Sequence, residues 1–203
     1  MPDSDISNST PDEPRSPREG WLAEVERVDQ AVYDAIAGTP TPALDAAMRR
    51  LSNAADYSRL SLASAGLLAV AGGPVGRRAA LDGLAALSVT ATVVNLVVKP
   101  LGRRRRPDRA AAAVPSDRHI AMPGSRSFPS GHTAAAVAFA SGASRALPAA
   151  GIPLDLLAAL VAYSRIHTGV HFPGDVLAGA LIGLMVANLT TGALAKRLDT
   201  AGR

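Results

Sequence analysis

The chain has 203 residues, 48% hydrophobic and 19% charged, with a mean hydropathy of +0.16 and a net charge of +4. It holds no cysteine, which excludes disulfides, thiolate metal sites and a cysteine nucleophile. One Trp, three Tyr and three Phe are too few to interleave with the basic residues as base-stacking surfaces require. Nucleic acid is therefore not expected as a partner, and the positive charge points to an anionic lipid surface or an anionic substrate.

Residues 1–20 are polar, acidic and proline-bearing, without the apolar stretch of a secretory signal, and read as a disordered tail. From Trp21 the pattern changes. Trp21, Val25, Val28, Val32 and Ile36 recur at steps of three and four and predict an amphipathic helix, stopped by Gly38 and the run Thr39-Pro40-Thr41-Pro42. Thr41 is placed to cap a second helix with Pro42 at its first position, continued by Leu44, Met48 and Leu51. Residues 21–56 are too charged to cross a bilayer. They read as interfacial amphipathic helices, with ordinary packing against the rest of the protein as the other reading.

Residues 57–197 are dominated by apolar stretches, followed by a short tail over 198–203. A membrane span needs about 20 predominantly apolar residues. Ala79 to Val98 and Val176 to Ala195 meet that comfortably, whereas Tyr57 to Gly73, His132 to Leu147 and Gly151 to Ile166 are marginal. Their Gly, Ala and Ser content suits close helix packing in a membrane. The expected fold is all-α: a polytopic membrane bundle of about five transmembrane helices preceded by the interfacial helices. Counting spans brings the segments around Lys99–Arg106, Pro129–His132 and Ser164–Asp175 to one face of the bilayer.

Those three segments carry the chemistry. Lys99 to Pro107 is a basic run following the end of a predicted span, which taken alone reads as a cytoplasmic anchor. In Pro129-Ser130-Gly131-His132 the start of an apolar helix offers unpaired N–H groups and a positive dipole end to an anion, and Gly131 permits close approach. In Ser164 to Asp175, Pro173 and Gly174 break the helix, and Asp175 follows His171 by four residues. Asp175 is placed either to cap the last span or to bond one ring nitrogen of His171 and make the other a nucleophile. No carboxylate cluster suggests a metal, since Asp108, Asp117 and Asp175 are scattered.

Together the segments resemble the type 2 phosphatidic acid phosphatase family, whose signatures are Lys-x6-Arg-Pro, Pro-Ser-Gly-His and Ser-Arg-x5-His-x3-Asp. All eleven specified positions match, in order and with the family's spacings, and the resemblance covers roughly Leu44 to Ala195. It implies that His171 attacks phosphorus, that Asp175 orients it, and that His132 protonates the leaving alkoxide and then activates water. It also implies that Lys99, Arg106, Arg165, Ser130 and the Gly131 amide hold the phosphoryl oxygens, with no metal or other cofactor. The implied protein is a multi-pass cell-membrane enzyme acting on a lipid phosphate. Phosphatidate is the first expectation, and an isoprenyl or polyprenyl phosphate the alternative. A soluble haloperoxidase and a non-catalytic lipid-binding relative are the rival readings; the apolar spans argue against the first and the intact histidines against the second. Outside the signatures, His167 is expected to be structural or solvated and His119 to lie at the surface. Arg103, Arg104 and Arg105 read as a solvated loop or a headgroup attractor, and Met122, Pro123 and Phe128 as a lining for the substrate's path.

Overall fold

The structure, a computed structural model, describes residues 17–201, so the tail reading for residues 1–16 falls outside it. Every regular element among the described residues is helical. The seven principal helices are α1 (Pro17–Gly38), α2 (Pro42–Ala54), α3 (Arg59–Ala71), α4 (Gly73–Leu101), α5 (Gly131–Ala146), α6 (Gly151–His167) and α7 (Pro173–Ala201). Helix α1 starts within the segment read as tail, and α7 runs through most of the segment read as the closing tail. A π-helical turn over Val94–Val98 interrupts α4 just before Lys99. Short turns of this kind often occur at functional sites.

Among the described residues three helical stretches are long and apolar enough to cross a membrane: Gly73–Leu101, Pro148–His167 and Pro173–Arg197. Only about a third of each is buried in the protein, and Leu81, Leu96, Leu156, Leu160, Leu181 and Leu189 point outward. Such an apolar outer surface is what a hydrocarbon solvent requires. Helices α3 and α5 have 13 and 16 residues and fall below the length of an upright span. Helix α5 is instead the central element, packed against α4, α6 and α7, with Ala134, Ala138 and Ala143 fully buried. Small residues allow that packing. A Cβ at Gly142 would stand 2.8 Å from the Asp82 carbonyl on α4, and one at Gly179 would stand 2.5 Å from the Ser130 carbonyl. Either distance is too short for a side chain, so the backbones themselves are in contact.

The amphipathic region packs by a face other than the one its apolar periodicity suggests. Asp29, Tyr33 and Ala37 of α1 are buried, and Tyr33 meets the Phe172 ring edge-on at 5.3 Å. Trp21, Val25, Val28 and Val32 form an outward stripe beside that face. Thr41 precedes α2 but makes no side-chain cap. Its hydroxyl donates to Asp45 Oδ1 at 2.8 Å and accepts from Arg118 at 3.0 Å. Arg118 is fully buried and also donates to Asp45 and to the carbonyls of Ile36, Ala37 and Thr39. A buried guanidinium is tolerated only with such complete pairing, and here the pairing ties the α4–α5 loop to the α1–α2 turn. His167 Nε2 joins the network at 2.9 Å from Asp45 Oδ1, a structural place for that histidine.

Candidate active site

The end of α4, the start of α5, the end of α6 and the start of α7 meet at one end of the bundle. The Ser130 N–H donates to the Asp175 carbonyl at 2.9 Å, which locks the starts of α5 and α7 together. The residue that turns the chain between α6 and α7 is Gly169, with a φ of +69°. A side chain there would meet Arg109 and Tyr33 at 3.0 Å, so both the conformation and the space demand glycine.

This turn delivers His171 into the interior, 1% exposed. Arg106 Nη1 lies 3.2 Å from His171 Nε2. A guanidinium N–H can only donate, so Nε2 carries the lone pair and the ring proton sits on Nδ1. Nδ1 faces Asp175 Oδ2 at 3.6 Å and Ser127 Oγ at 3.5 Å. The first distance is longer than a hydrogen bond. Asp175 is itself fully buried, accepting from Ser127 Oγ, from the Phe172 N–H at 3.0 Å and from Arg104 Nη1 at 3.2 Å. Burial above all, with the Arg106 charge beside it, pulls His171 down to about 4 against the opposing effect of Asp175. At neutral pH the imidazole is therefore uncharged and nucleophilic.

Arg106, which touches Nε2, has Lys99 and Arg165 as charged neighbours. Arg106 is clamped by the carbonyls of Ser125, Arg126 and Val170, and its Nη2 shares Ser125 Oγ with Lys99 Nζ at 3.2 and 3.3 Å. Lys99 also reaches the start of α5, where a Cβ at Gly131 would lie 3.4 Å from Nζ. Arg165 is 0% exposed and donates through Nη1 to Ser52, while its Nε and Nη2 are buried without a partner. A buried guanidinium with two unpartnered donor atoms is able to hold an anion. His132, on the first turn of α5, pairs through Nε2 with Asp56 Oδ1 at 2.9 Å. Asp56 also stands 3.7 Å from Arg165 Nη1. From His132 a narrow, largely apolar cleft runs between α3, α5 and α6, past Ser61, Phe139, Leu154 and Val161.

Thus Lys99, Arg106, Gly131, His132, Arg165, His171 and Asp175 are brought together. Ser130 is placed differently: its buried hydroxyl is 2.9 Å from Thr133 Oγ1 and caps α5 rather than facing the cations. Arg104 departs from its reading as part of a solvated run. Exposed Arg103 and Arg105 flank it, but Arg104 turns inward to Asp29 at 2.6 Å and stacks on Phe172 at 4.0 Å. Two carboxylates, Asp29 and Asp175, draw it in. Asp56, Ser125 and Ser127 lie outside the signatures, and no local pattern marks them. His119 is at the surface. Among the described residues no cluster of His, Cys, Asp or Glu has the makings of a metal site.

Residues 81–199 match the PAP2 superfamily. The chain belongs to that family. It is 36% identical over 175 residues to the decaprenylphosphoryl-5-phosphoribose phosphatase of Mycobacterium tuberculosis, covering 85% of this chain and 89% of the relative. The enzyme of that name from Mycolicibacterium smegmatis is 36% identical over 156 residues, covering 73% and 77%. Among solved structures, the chain resembles the transmembrane PAP2-type phosphatidylglycerolphosphate phosphatase of Bacillus subtilis, with a TM-score of 0.64, 28% identity and coverage of 85% and 87%. It also resembles Aquifex aeolicus LpxE, with a TM-score of 0.62, 27% identity and coverage of 80% and 94%. The protein is thus a membrane phosphatase of the PAP2 type.

Proposed function

We propose that this phosphatase removes the terminal phosphate of a polyprenyl-phosphoryl sugar phosphate, by way of a phosphohistidine and without a metal. The mycobacterial relatives support this substrate class over the phosphatidate first expected, because their likeness extends over most of both chains. The observation that carries the chemistry is the pair of unpartnered Arg165 donors beside the Arg106–His171 contact. A phosphoryl transition state spreads its charge over equatorial oxygens, and one cation at about 4 Å contributes about 4 kcal/mol at an effective dielectric near 20, before desolvation. Lys99, Arg106 and Arg165 supply that charge together, and the Gly131 amide at the start of α5 adds a donor.

The substrate's phosphoryl oxygens replace His171 as the acceptor of the Arg106 N–H. His171 Nε2 then forms a bond to phosphorus as the bond from phosphorus to the sugar oxygen breaks. His132 gives its proton to that oxygen, while Asp175 and Ser127 stabilise the positive imidazole at Nδ1. Water next attacks phosphorus, passes a proton to His132, and releases inorganic phosphate and free His171. We read the membrane arrangement as five crossings, with α3 and α5 joining the three long helices, and the outward α1 stripe lying in the interface.

The test is phosphate release by detergent-purified protein in EDTA from a polyprenylphosphoryl ribose 5-phosphate, phosphatidate and an isoprenyl diphosphate, beside His171→Ala. Preference for the first substrate, abolished in the variant, is the expected result. Preference for phosphatidate would overturn the substrate assignment, and activity surviving in His171→Ala would overturn the nucleophile.

A further inference from the structure

The sugar 5-oxygen is a primary alkoxide, a poor leaving group, so cleavage demands an efficient proton donor. The only carboxylate bonded to His132 among the described residues is Asp56, 76 residues earlier in the chain. It sits on the short turn Asp56–Ser58 between α2 and α3. Two successive non-glycine residues there, Tyr57 and Ser58, adopt positive φ values of 55° and 57°. Such strain persists where the surroundings over-determine it, and it collects at functional sites. The strained turn holds the Asp56 carboxylate over His132 and beside Arg165 Nη1, at 3.7 Å.

We propose that Asp56 is the positioning residue of the acid–base histidine, a second carboxylate–imidazole pair facing the one at His171. A carboxylate accepts only, so the 2.9 Å contact fixes a proton on His132 Nε2. The other nitrogen, Nδ1, is then the one that donates to the leaving oxygen and later takes a proton from water. The negative charge of Asp56 offsets part of the burial and the Arg165 repulsion that oppose the imidazolium donation requires, and it stabilises the same cation when water is deprotonated. Asp56 does not touch phosphorus and takes no proton; it acts through His132.

This proposal rests on the phosphatase reading above, and the experiment separates the two. Full-length protein in detergent is assayed for kcat/KM on p-nitrophenyl phosphate, whose leaving group departs readily unprotonated, and on an alkyl phosphate monoester, whose leaving group does not. The readout is the ratio of the two values, from which the amount of correctly folded protein cancels. In Asp56→Asn the alkyl substrate should lose about ten- to hundredfold more than p-nitrophenyl phosphate, a part of the roughly 10²–10⁴ that general acid catalysis supplies. Asp56→Glu should restore most of the wild-type ratio. An unchanged ratio in Asp56→Asn, with both rates equally lowered or neither, would overturn the positioning role alone. A wild-type protein that releases no phosphate from either monoester or from the lipid substrates would overturn the phosphatase reading and this one with it.

Discussion

In the proposed mechanism His171 and His132 serve one phosphate from opposite surroundings. The His171 side chain is 2% exposed against an Asp175 that is fully buried, whereas His132 is 26% exposed against an Asp56 that is 39% exposed. Asp175 is held by three further donors, Ser127, Phe172 and Arg104, and through Arg104 by Asp29 on α1. Asp56 is supported by a strained turn and the edge of Arg165. The difference suits the roles proposed for the two rings. A nucleophile needs one orientation, one tautomer and no water, which deep burial and a complete hydrogen-bond shell provide. An acid that becomes a base must meet a departing alcohol and then an arriving water, so its side of the site stays open.

Removing the rings themselves should break the symmetry most visibly. His171→Gln is expected to lower kcat/KM by at least about 10⁴-fold, as loss of a nucleophile does, and to form no covalent phosphoenzyme. His132→Gln should cost about 10²–10⁴-fold on an alkyl phosphate. With p-nitrophenyl phosphate it should instead accumulate phosphohistidine, because bond cleavage needs no acid there while hydrolysis lacks its base. Acid-lability and mass of the quenched protein report that species. Accumulation in the His171 variant and none in the His132 variant would exchange the two roles.

The supports should behave as differently as the rings. Arg104→Ala and Ser127→Ala each remove a hydrogen bond to buried Asp175, and bonds to charged groups contribute about 1.5–3 kcal/mol, or roughly ten- to hundredfold in rate. Their effect passes through His171, so both substrate types should suffer in equal proportion. That contrasts with the leaving-group dependence expected at Asp56. Arg104→Lys should rescue little, since a lysine ammonium cannot bridge Asp29 and Asp175 as a planar fork stacked on Phe172 does. A leaving-group-dependent loss at Arg104 would mean that the two halves of the site are not separable.

Residues with regular spacing were legible in the sequence, and residues that act across the fold were not. The three signatures carry Lys99, Arg106, His132, Arg165, His171 and Asp175, and span counting alone placed their segments at one face. Apolar runs likewise revealed two of the long helices, Gly73–Leu101 and Pro173–Arg197, whereas the third read as marginal, no different from the segments that form the shorter α3 and α5. Asp56 is a lone carboxylate in a short turn, with nothing local to show that α5 packs beneath it. Arg104 sits in a run of four arginines that differ only in what folds against them. Ser130 looks like a phosphate ligand by its neighbours, but its hydroxyl also satisfies the helix start, and the cap holds it in the structure. On α1 the apolar stripe was plain, while the packed face, Asp29, Tyr33 and Ala37, is partly polar because its partners are Arg104, the Gly174 amide and a loop. Periodicity reports apolar surface and cannot say which surface meets protein.

The smallest expected effect concerns protons rather than rates. His171 falls to about 4 because burial penalises the charged ring more than Asp175 favours it. In histidine-labelled protein the ring signal that disappears in His171→Gln should keep its neutral-imidazole shift from pH 8 to pH 5. The linked effect on stability has a definite sign. Between about 6.5 and about 4 the unfolded chain binds a proton at this position and the folded chain does not. Stability therefore falls as pH drops through that window and, from this group, falls no further below it. His171→Gln should flatten the slope of melting temperature against pH across the same interval. A His171 signal titrating near 6.5 would mean that water or the Asp175 charge reaches the ring more effectively than its burial allows.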